Sequence, residues 1–92
     1  MSERVGRSVR VTGRVQVVFF RAWAAEEARA LGVSGWIRNA HDGSVEALLE
    51  GEESAVQQLI DLLHEGPPSA QVAHVEVEEA DLEGSNRFEI RH

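Results

Sequence analysis

The chain contains no cysteine. That removes disulfide staples, thiol nucleophiles and cysteine-based zinc or iron–sulfur sites, and it fits a reducing cytoplasm. It also contains no lysine: all 9 basic residues are arginine. No apolar run approaches the roughly 18 residues a membrane helix needs. The opening residues, Met1-Ser-Glu-Arg-Val-Gly-Arg7, lack the apolar segment of a signal peptide. The expectation is therefore a cytoplasmic protein with no membrane partner. Prolines number only 2, both in Gly66-Pro67-Pro68, a sequence that stops a helix.

What is present fits one small domain and is too short for two: 92 residues, 42% of them hydrophobic. A core of that size gives moderate stability. The net charge of −7 is unevenly spread. Residues 1–39 carry seven Arg against Glu3, Glu26 and Glu27, or +4, and residues 40–92 carry two Arg against thirteen acids, or −11. An acidic balance argues against general nucleic-acid binding, which relies on basic surface. The basic half can still attract a small anion locally.

Periodicity sets out the elements. Val9, Val11, Gly13 and Val15 share one parity, which predicts a strand over 7–13, with residues 1–6 frayed. Phe20, Trp23, Ala24, Ala28 and Leu31 fall at helical spacing and predict a helix over 21–31, ended by Gly32. A strand over 35–39, a hairpin turn at Ala40-His-Asp-Gly43 and a strand over 44–49 follow. Val56, Leu59, Ile60 and Leu63 make the apolar stripe of a second helix that opens at Gly51-Glu-Glu-Ser. A fourth strand over 70–79 is expected to turn Ala73, Val75 and Val77 inward. A polar loop over 81–86 then leads to a short edge strand over 88–90. The order is βαββαβ with a terminal strand, a ferredoxin-like α+β sandwich with two helices on one face of an antiparallel sheet.

Chemistry points to the junction of the first strand and first helix. A strand, a tight turn and a helix N-terminus converge free backbone N–H groups, and the helix dipole adds positive potential. Arg21 stands in the first helical turn and offers a planar two-pronged donor for phosphate oxygens. Read from these residues alone, the junction is more simply an ordinary strand-to-helix turn with a solvated arginine. His41, His64, His74 and His92 are scattered with no ligand spacing, so no metal site is expected.

Gly13-Arg-Val-Gln-Val-Val-Phe-Phe-Arg21 resembles the signature of the acylphosphatase family, Gly-x-Val-Gln-Gly-Val-x-Phe-Arg. Gly35-Trp-Ile-Arg-Asn-Ala-His-Asp-Gly43 with Val45-Glu46 resembles the family's second motif, and Phe88-Glu-Ile90 is similar to its closing strand. The resemblance spans nearly the whole chain. It implies hydrolysis of carboxyl-phosphate anhydrides with Arg21 and Asn39 as the catalytic residues. The phosphoryl group would lie on the backbone of Gln16, Val17, Val18, Phe19, Phe20 and Arg21, and Asn39 would orient a water. No cofactor or metal is implied. The expected partners are a small acylphosphate and inorganic phosphate as product and inhibitor, with no nucleic acid, and the protein is expected to be a monomer.

One position departs from the pattern, since Val17 stands where the family has Gly. If that position needs φ > 0, valine is a poor occupant. Activity would be weakened, and Val17→Gly would restore it. The alternative reading is a non-catalytic phosphate-binding module on the same fold. A third, an RNA-recognition domain of like topology, lacks paired aromatics on the middle strands.

Overall fold

Alternating valines extend the first strand further than its sequence pattern suggested. In a computed structural model, which describes residues 3–17 and 19–92, the elements are β1 (Arg4–Arg14), α1 (Phe20–Leu31), β2 (Ser34–Asn39), β3 (Val45–Glu52), α2 (Glu53–Glu65), β4 (Gln71–Ala80) and β5 (Phe88–Arg91). Residues 4–6 are not frayed. Arg4, Val5 and Gly6 pair with Glu52, Gly51 and Glu50 of β3, so their backbone groups are held by the sheet.

The strand order is β4-β1-β3-β2-β5. β1 runs antiparallel to β3 and β4, and β2 antiparallel to β3, as the sandwich requires. β5 lies parallel to β2 at the far edge and makes the sheet mixed. Both helices lie on one face. Val9, Val11, Ile37, Val45, Ala47, Leu49 and Phe88 from the strands meet Phe20, Ala24, Ala25 and Ala28 of α1 and Val56, Leu59, Ile60 and Leu63 of α2 in one buried cluster. This interdigitation of two helical stripes with alternating strand residues is the main source of stability.

β4 corrects one expectation. Ala73 is exposed and Val77 is 39% exposed, while Val72 and Val75 pack against the core. The cause is a bulge. Thr12 pairs with His74 but Gly13 pairs with Val72, which leaves Ala73 without a counterpart and hands the inward position before it to Val72. Gly13 makes the bulge possible. Its φ is 119°, and a Cβ there would sit 2.4 Å from the Gln71 carbonyl oxygen. Val77 lies past the bulge in the expected inward register, opposite Val9, but it is on an edge strand and stays partly exposed.

Reaching β5 from β4 means crossing the sheet face that the helices leave open. Glu50 makes the crossing possible. It lies on the face of β3 opposite Leu49 and is 0% exposed. Its carboxylate accepts the backbone N–H groups of Glu83 (2.9 Å), Gly84 (3.2 Å) and Ser85 (3.3 Å). A buried carboxylate needs such donors, and the loop's own N–H groups need an acceptor. Replacing Glu50 by Ala strands three donors and should cost about 1–3 kcal/mol. For a domain of this size that is a fall in Tm of roughly 4–20 °C. Thermal melting followed by circular dichroism measures it, and a shift under about 2 °C would mean that the crossover does not depend on Glu50.

Candidate active site

β1 leaves the sheet at Arg14, and α1 begins six residues later. The connection is pinned at both ends by core side chains, Val15 at 0% and Phe20 at 1% exposure. Two anchors so close together force a tight turn. The Phe20 N–H donates to the Val17 carbonyl at 3.2 Å, and the Trp23 N–H to the Phe19 carbonyl at 2.7 Å. Phe19 is the N-cap of α1, with φ 75° and ψ 0°, and no side chain caps the helix. Nor does any acid lie in its first turn. A helix start with neither cap nor counter-charge keeps its positive end available to an anion.

The expectation placed on Val17 fails here. Among the described residues the only non-glycine with positive φ is Phe19. Val17 is half-buried and packs against the core. Left-handed backbone is thus needed two residues later than the departure from the family pattern suggested, and valine at 17 occupies an ordinary conformation. Val18 lies outside the described residues.

The remaining expected residues divide into two groups. Val17, Phe19 and Arg21 line one pocket of about 340 Å³ together with Ala22, Ile90 and His92. The Arg21 guanidinium reaches across to the end of β5, where Nη1 donates to the Arg91 carbonyl at 2.8 Å and lies 3.2 Å from His92 Nδ1. Gln16 of the loop faces the neighbouring hairpin, to which Asn39 belongs. The Gln16 side-chain amide donates to the carbonyls of Ala40 (2.6 Å) and Ser44 (2.8 Å), tying the loop to the β2–β3 turn. Asn39 is exposed, pairs with Val45 at the last position of β2 and immediately precedes Ala40. Its neighbour Arg38 pairs with Arg91, whose carbonyl holds Arg21. Arg21 and Asn39 therefore sit at the same end of the β2–β5 pair. Phe20 contributes a buried ring, packed against Trp23 with centroids 5.7 Å apart.

The hairpin that carries Asn39 is itself braced. Asp42 Oδ1 accepts the Ser44 backbone N–H at 3.0 Å and the Ser44 hydroxyl at 2.6 Å. Arg10 Nη1 donates to Asp42 Oδ2 at 2.6 Å and to Ser44 Oγ at 3.0 Å, and Arg10 Nη2 to Glu46 at 3.0 Å. The Ser44 hydroxyl, the Ser44 N–H and then Arg10 hold the Asp42 carboxyl below its ordinary value of 3.8. This brace was not anticipated, although Asp-Gly-Ser is a recognisable local signal for a side chain that bonds the backbone two residues on. Gln16's side chain was likewise expected to matter only through its backbone. Among the described residues no group of three or more His, Cys, Asp or Glu is placed to hold a metal ion.

A βαββαβ sandwich with an arginine-bearing, uncapped helix start after its first strand is a small ferredoxin-like domain. The acylphosphatase family model matches residues 7–90. An acylphosphatase of Anaeromyxobacter dehalogenans is 53% identical over 92 residues, which cover 99% of each chain. One of Rubrobacter xylanophilus is 57% identical over 84 residues, 90% of this chain and 76% of the relative. The crystal structure of the acylphosphatase of Bacillus subtilis superposes with a TM-score of 0.92 at 38% identity, covering 96% of this chain and 99% of that one. The chain belongs to the acylphosphatase family.

Two outcomes follow from the geometry. Asp42's folded pKa is lowered, so its stabilisation is complete above the ordinary value and drains as pH falls through the lower folded one. The urea-midpoint gap between the protein and Asp42→Ala should therefore narrow from about pH 6 to about pH 2, and a constant gap would refute the coupling. Val17→Gly should lower stability, since glycine adds unfolded-chain freedom of about 0.4–1 kcal/mol and gives up a packed side chain. A rise of about tenfold or more in kcat/KM, equivalent to about 1.4 kcal/mol, would return the left-handed requirement to position 17.

Proposed function

We propose that the chain hydrolyses acylphosphates at the β1–α1 loop, with Arg21 holding the phosphoryl group and Asn39 orienting the attacking water. The observation that carries this is the uncapped α1 N-terminus with Arg21 in its first turn, opening on the same pocket. Membership of the acylphosphatase family makes the chain a hydrolase of this class.

The chemistry asks little beyond positioning. A carboxylate is a good leaving group, so no strong general acid is needed. Phosphoryl transfer is governed by alignment and by stabilising charge on the equatorial oxygens. The guanidinium and the helix N-terminal donors supply that stabilisation, and the Arg91 carbonyl fixes one arm of Arg21 so that little reorganisation remains at reaction. An amide such as that of Asn39 can donate and accept together, which suits it to orient a water. The water oxygen bonds to phosphorus as the bond from phosphorus to the acyl oxygen breaks. The acyl group leaves as carboxylate, and the water proton passes to a phosphate oxygen. An acylphosphate dianion plus water thus gives a carboxylate and dihydrogen phosphate. Inorganic phosphate is then both product and inhibitor.

The alternative, a non-catalytic anion binder, rested on Val17 distorting the loop. Val17 has no left-handed conformation to strain it, and the relatives at about half identity are named acylphosphatases. That alternative is not favoured. We propose further that catalysis needs no metal, that the protein acts as a monomer, and that it works in the cytoplasm as a single domain.

Acyl phosphate turnover should persist in excess chelator. Arg21→Ala should lose about 10³-fold or more in kcat together with phosphate inhibition, because it removes charge stabilisation in ground and transition states. Asn39→Ala should lose about 10²–10³-fold in kcat with phosphate inhibition retained. Activity that vanishes with chelator and returns with a divalent ion would sink the metal-free route. An Asn39→Ala enzyme with weakened phosphate inhibition and intact kcat would reverse the assigned roles.

A further inference from the structure

The turn between β2 and β3 gains little from the core. His41, Asp42 and Gly43 are exposed, and a Cβ on Gly43 would meet nothing within 4 Å. Asn39, at the last position of β2, is exposed as well. The turn is held by polar groups instead, and they meet at Ser44, which is 2% exposed. Its carbonyl accepts the Gln16 amide and the Ala40 N–H, its own N–H and hydroxyl donate to Asp42, and its Oγ accepts from Arg10.

Arg10 reaches this turn from β1. On the open face of the sheet Glu76 of β4, Arg10 of β1, Glu46 of β3 and Arg38 of β2 are successive cross-strand partners. Arg10 thus stands between two acids, and a cross-strand ion pair is open to it on either side. Among the described residues its ion pairs go to Glu46 at 3.0 Å and to Asp42 at 2.6 Å, and none to Glu76. The two arms divide the work. Nη1 donates to Asp42 Oδ2 and Ser44 Oγ, which follow Asn39 in the chain. Nη2 donates to Glu46 Oε2, while Glu46 Oε1 accepts from Arg38, which precedes Asn39. One planar fork therefore ties the chain to the sheet on both sides of Asn39. The Asp42 side chain is 59% exposed and that of Arg10 38%. Ion pairs so open to water add little stability. What a rigid two-armed donor supplies at such a place is geometry.

We infer that Arg10 is a positioning residue for acylphosphate hydrolysis, its guanidinium clamping the β2–β3 turn to the sheet and so setting the place of Asn39 relative to the β1–α1 loop. This rests on the reading of Asn39 as the residue that orients the attacking water. Arg10 acts through the backbone of the turn and on the chemical step. Phosphoryl binding at Arg21 does not depend on it.

The test is steady-state turnover of acetyl phosphate with inorganic phosphate as inhibitor. Arg10→Gln should lower kcat about tenfold and leave phosphate inhibition within about twofold, since small misplacements cost the chemical step most. Arg10→Lys keeps the charge and loses the fork, so its kcat should also fall, by about threefold or more. Glu76→Gln, which alters the same row outside the clamp, should keep kcat within about twofold. Arg10→Gln added to Asn39→Ala should cost less than about twofold beyond Asn39→Ala alone, because the place of the turn no longer matters once the amide is gone. Full kcat in folded Arg10→Gln or Arg10→Lys overturns the inference, and Arg10→Lys carries the test should Arg10→Gln lose its helix signal in circular dichroism. So does phosphate inhibition that weakens in step with kcat, or a Glu76→Gln loss equal to that of Arg10→Gln, since either shows a general field at work. Losses that multiply in the double variant also overturn it and leave the reading of Asn39 standing. Intact kcat in Asn39→Ala overturns that reading, and the inference with it.

Discussion

The structure depends on a strand and a helix being joined by a turn that has almost no slack. Val15 and Phe20 are both driven into the core, and only four residues separate them. Among the described residues of that span, Phe19 takes a left-handed conformation. The same constraint leaves α1 without a side-chain cap and aims its N-terminus outward beside Arg21. Burial of two hydrophobic side chains thus secures the geometry on which the proposed anion chemistry relies. The energy comes from the core, and the loop's polar groups stay available because the loop is held from below.

The second support is lateral. The loop's free side faces the β2–β3 hairpin, and Gln16 bridges the two through the carbonyls of Ala40 and Ser44. The hairpin is braced from its other side by Arg10, Asp42 and Ser44. Asn39 stands between these two attachments. The role proposed for Asn39, orienting a water, needs a stationary backbone more than burial, and the braced hairpin supplies one. Arg38 is also engaged, with Nε 3.2 Å from Glu46 and its guanidinium over the Trp36 ring at 5.1 Å. Arg10 and Arg38 are thus paired with acids, whereas Arg21 meets only the Arg91 carbonyl and His92.

Much of this was legible in the residues because the signals were local or strongly periodic. The alternation of Val9 and Val11, the stripe from Val56 to Leu63 and the Asp42-Gly43 turn each specify an element without reference to anything distant. The two motif blocks pointed to Arg21 and Asn39, which the sheet brings to one end of the β2–β5 pair. What escaped depended on pairings between distant segments. Nothing around Ala73 announces a bulge, because the bulge arises from the register with Gly13 some sixty residues earlier. Residues 4–6 look polar and loose until β3 is seen to extend to Glu52 beside them. Glu50 reads as one more acid in an acidic half, and only the crossover shows why it is buried. The position needing φ > 0 was sought where a motif glycine was missing. In fact backbone strain followed spacing between the buried anchors, and it fell on Phe19.

Glu50 also links the far end of the chain to the site. β5 supplies Ile90 to the pocket and the Arg91 carbonyl to Arg21. It can do so only because the chain returns across the open sheet face from β4 to the opposite edge. A short edge strand at the end of such a crossing makes few pairings of its own, here Gly35 to Arg38 of β2 against Phe88 to Arg91. Gly35 admits the close approach of β2 to β3 beside it, since a Cβ there would lie 1.9 Å from the Leu48 carbonyl oxygen. Arg29 of α1 adds a bond from Nη2 to the Phe88 carbonyl at 3.0 Å. Those contacts fix the register of β5, but the entropy of ordering the crossover has to be offset elsewhere. Three N–H groups converging on one buried carboxylate provide that offset, because a charged acceptor strengthens each bond and its desolvation is already met by the donors. A buried charge in a domain this small would be a liability if left alone. Enclosed by the loop it organises, it is what carries β5, and with it one arm of Arg21, into place.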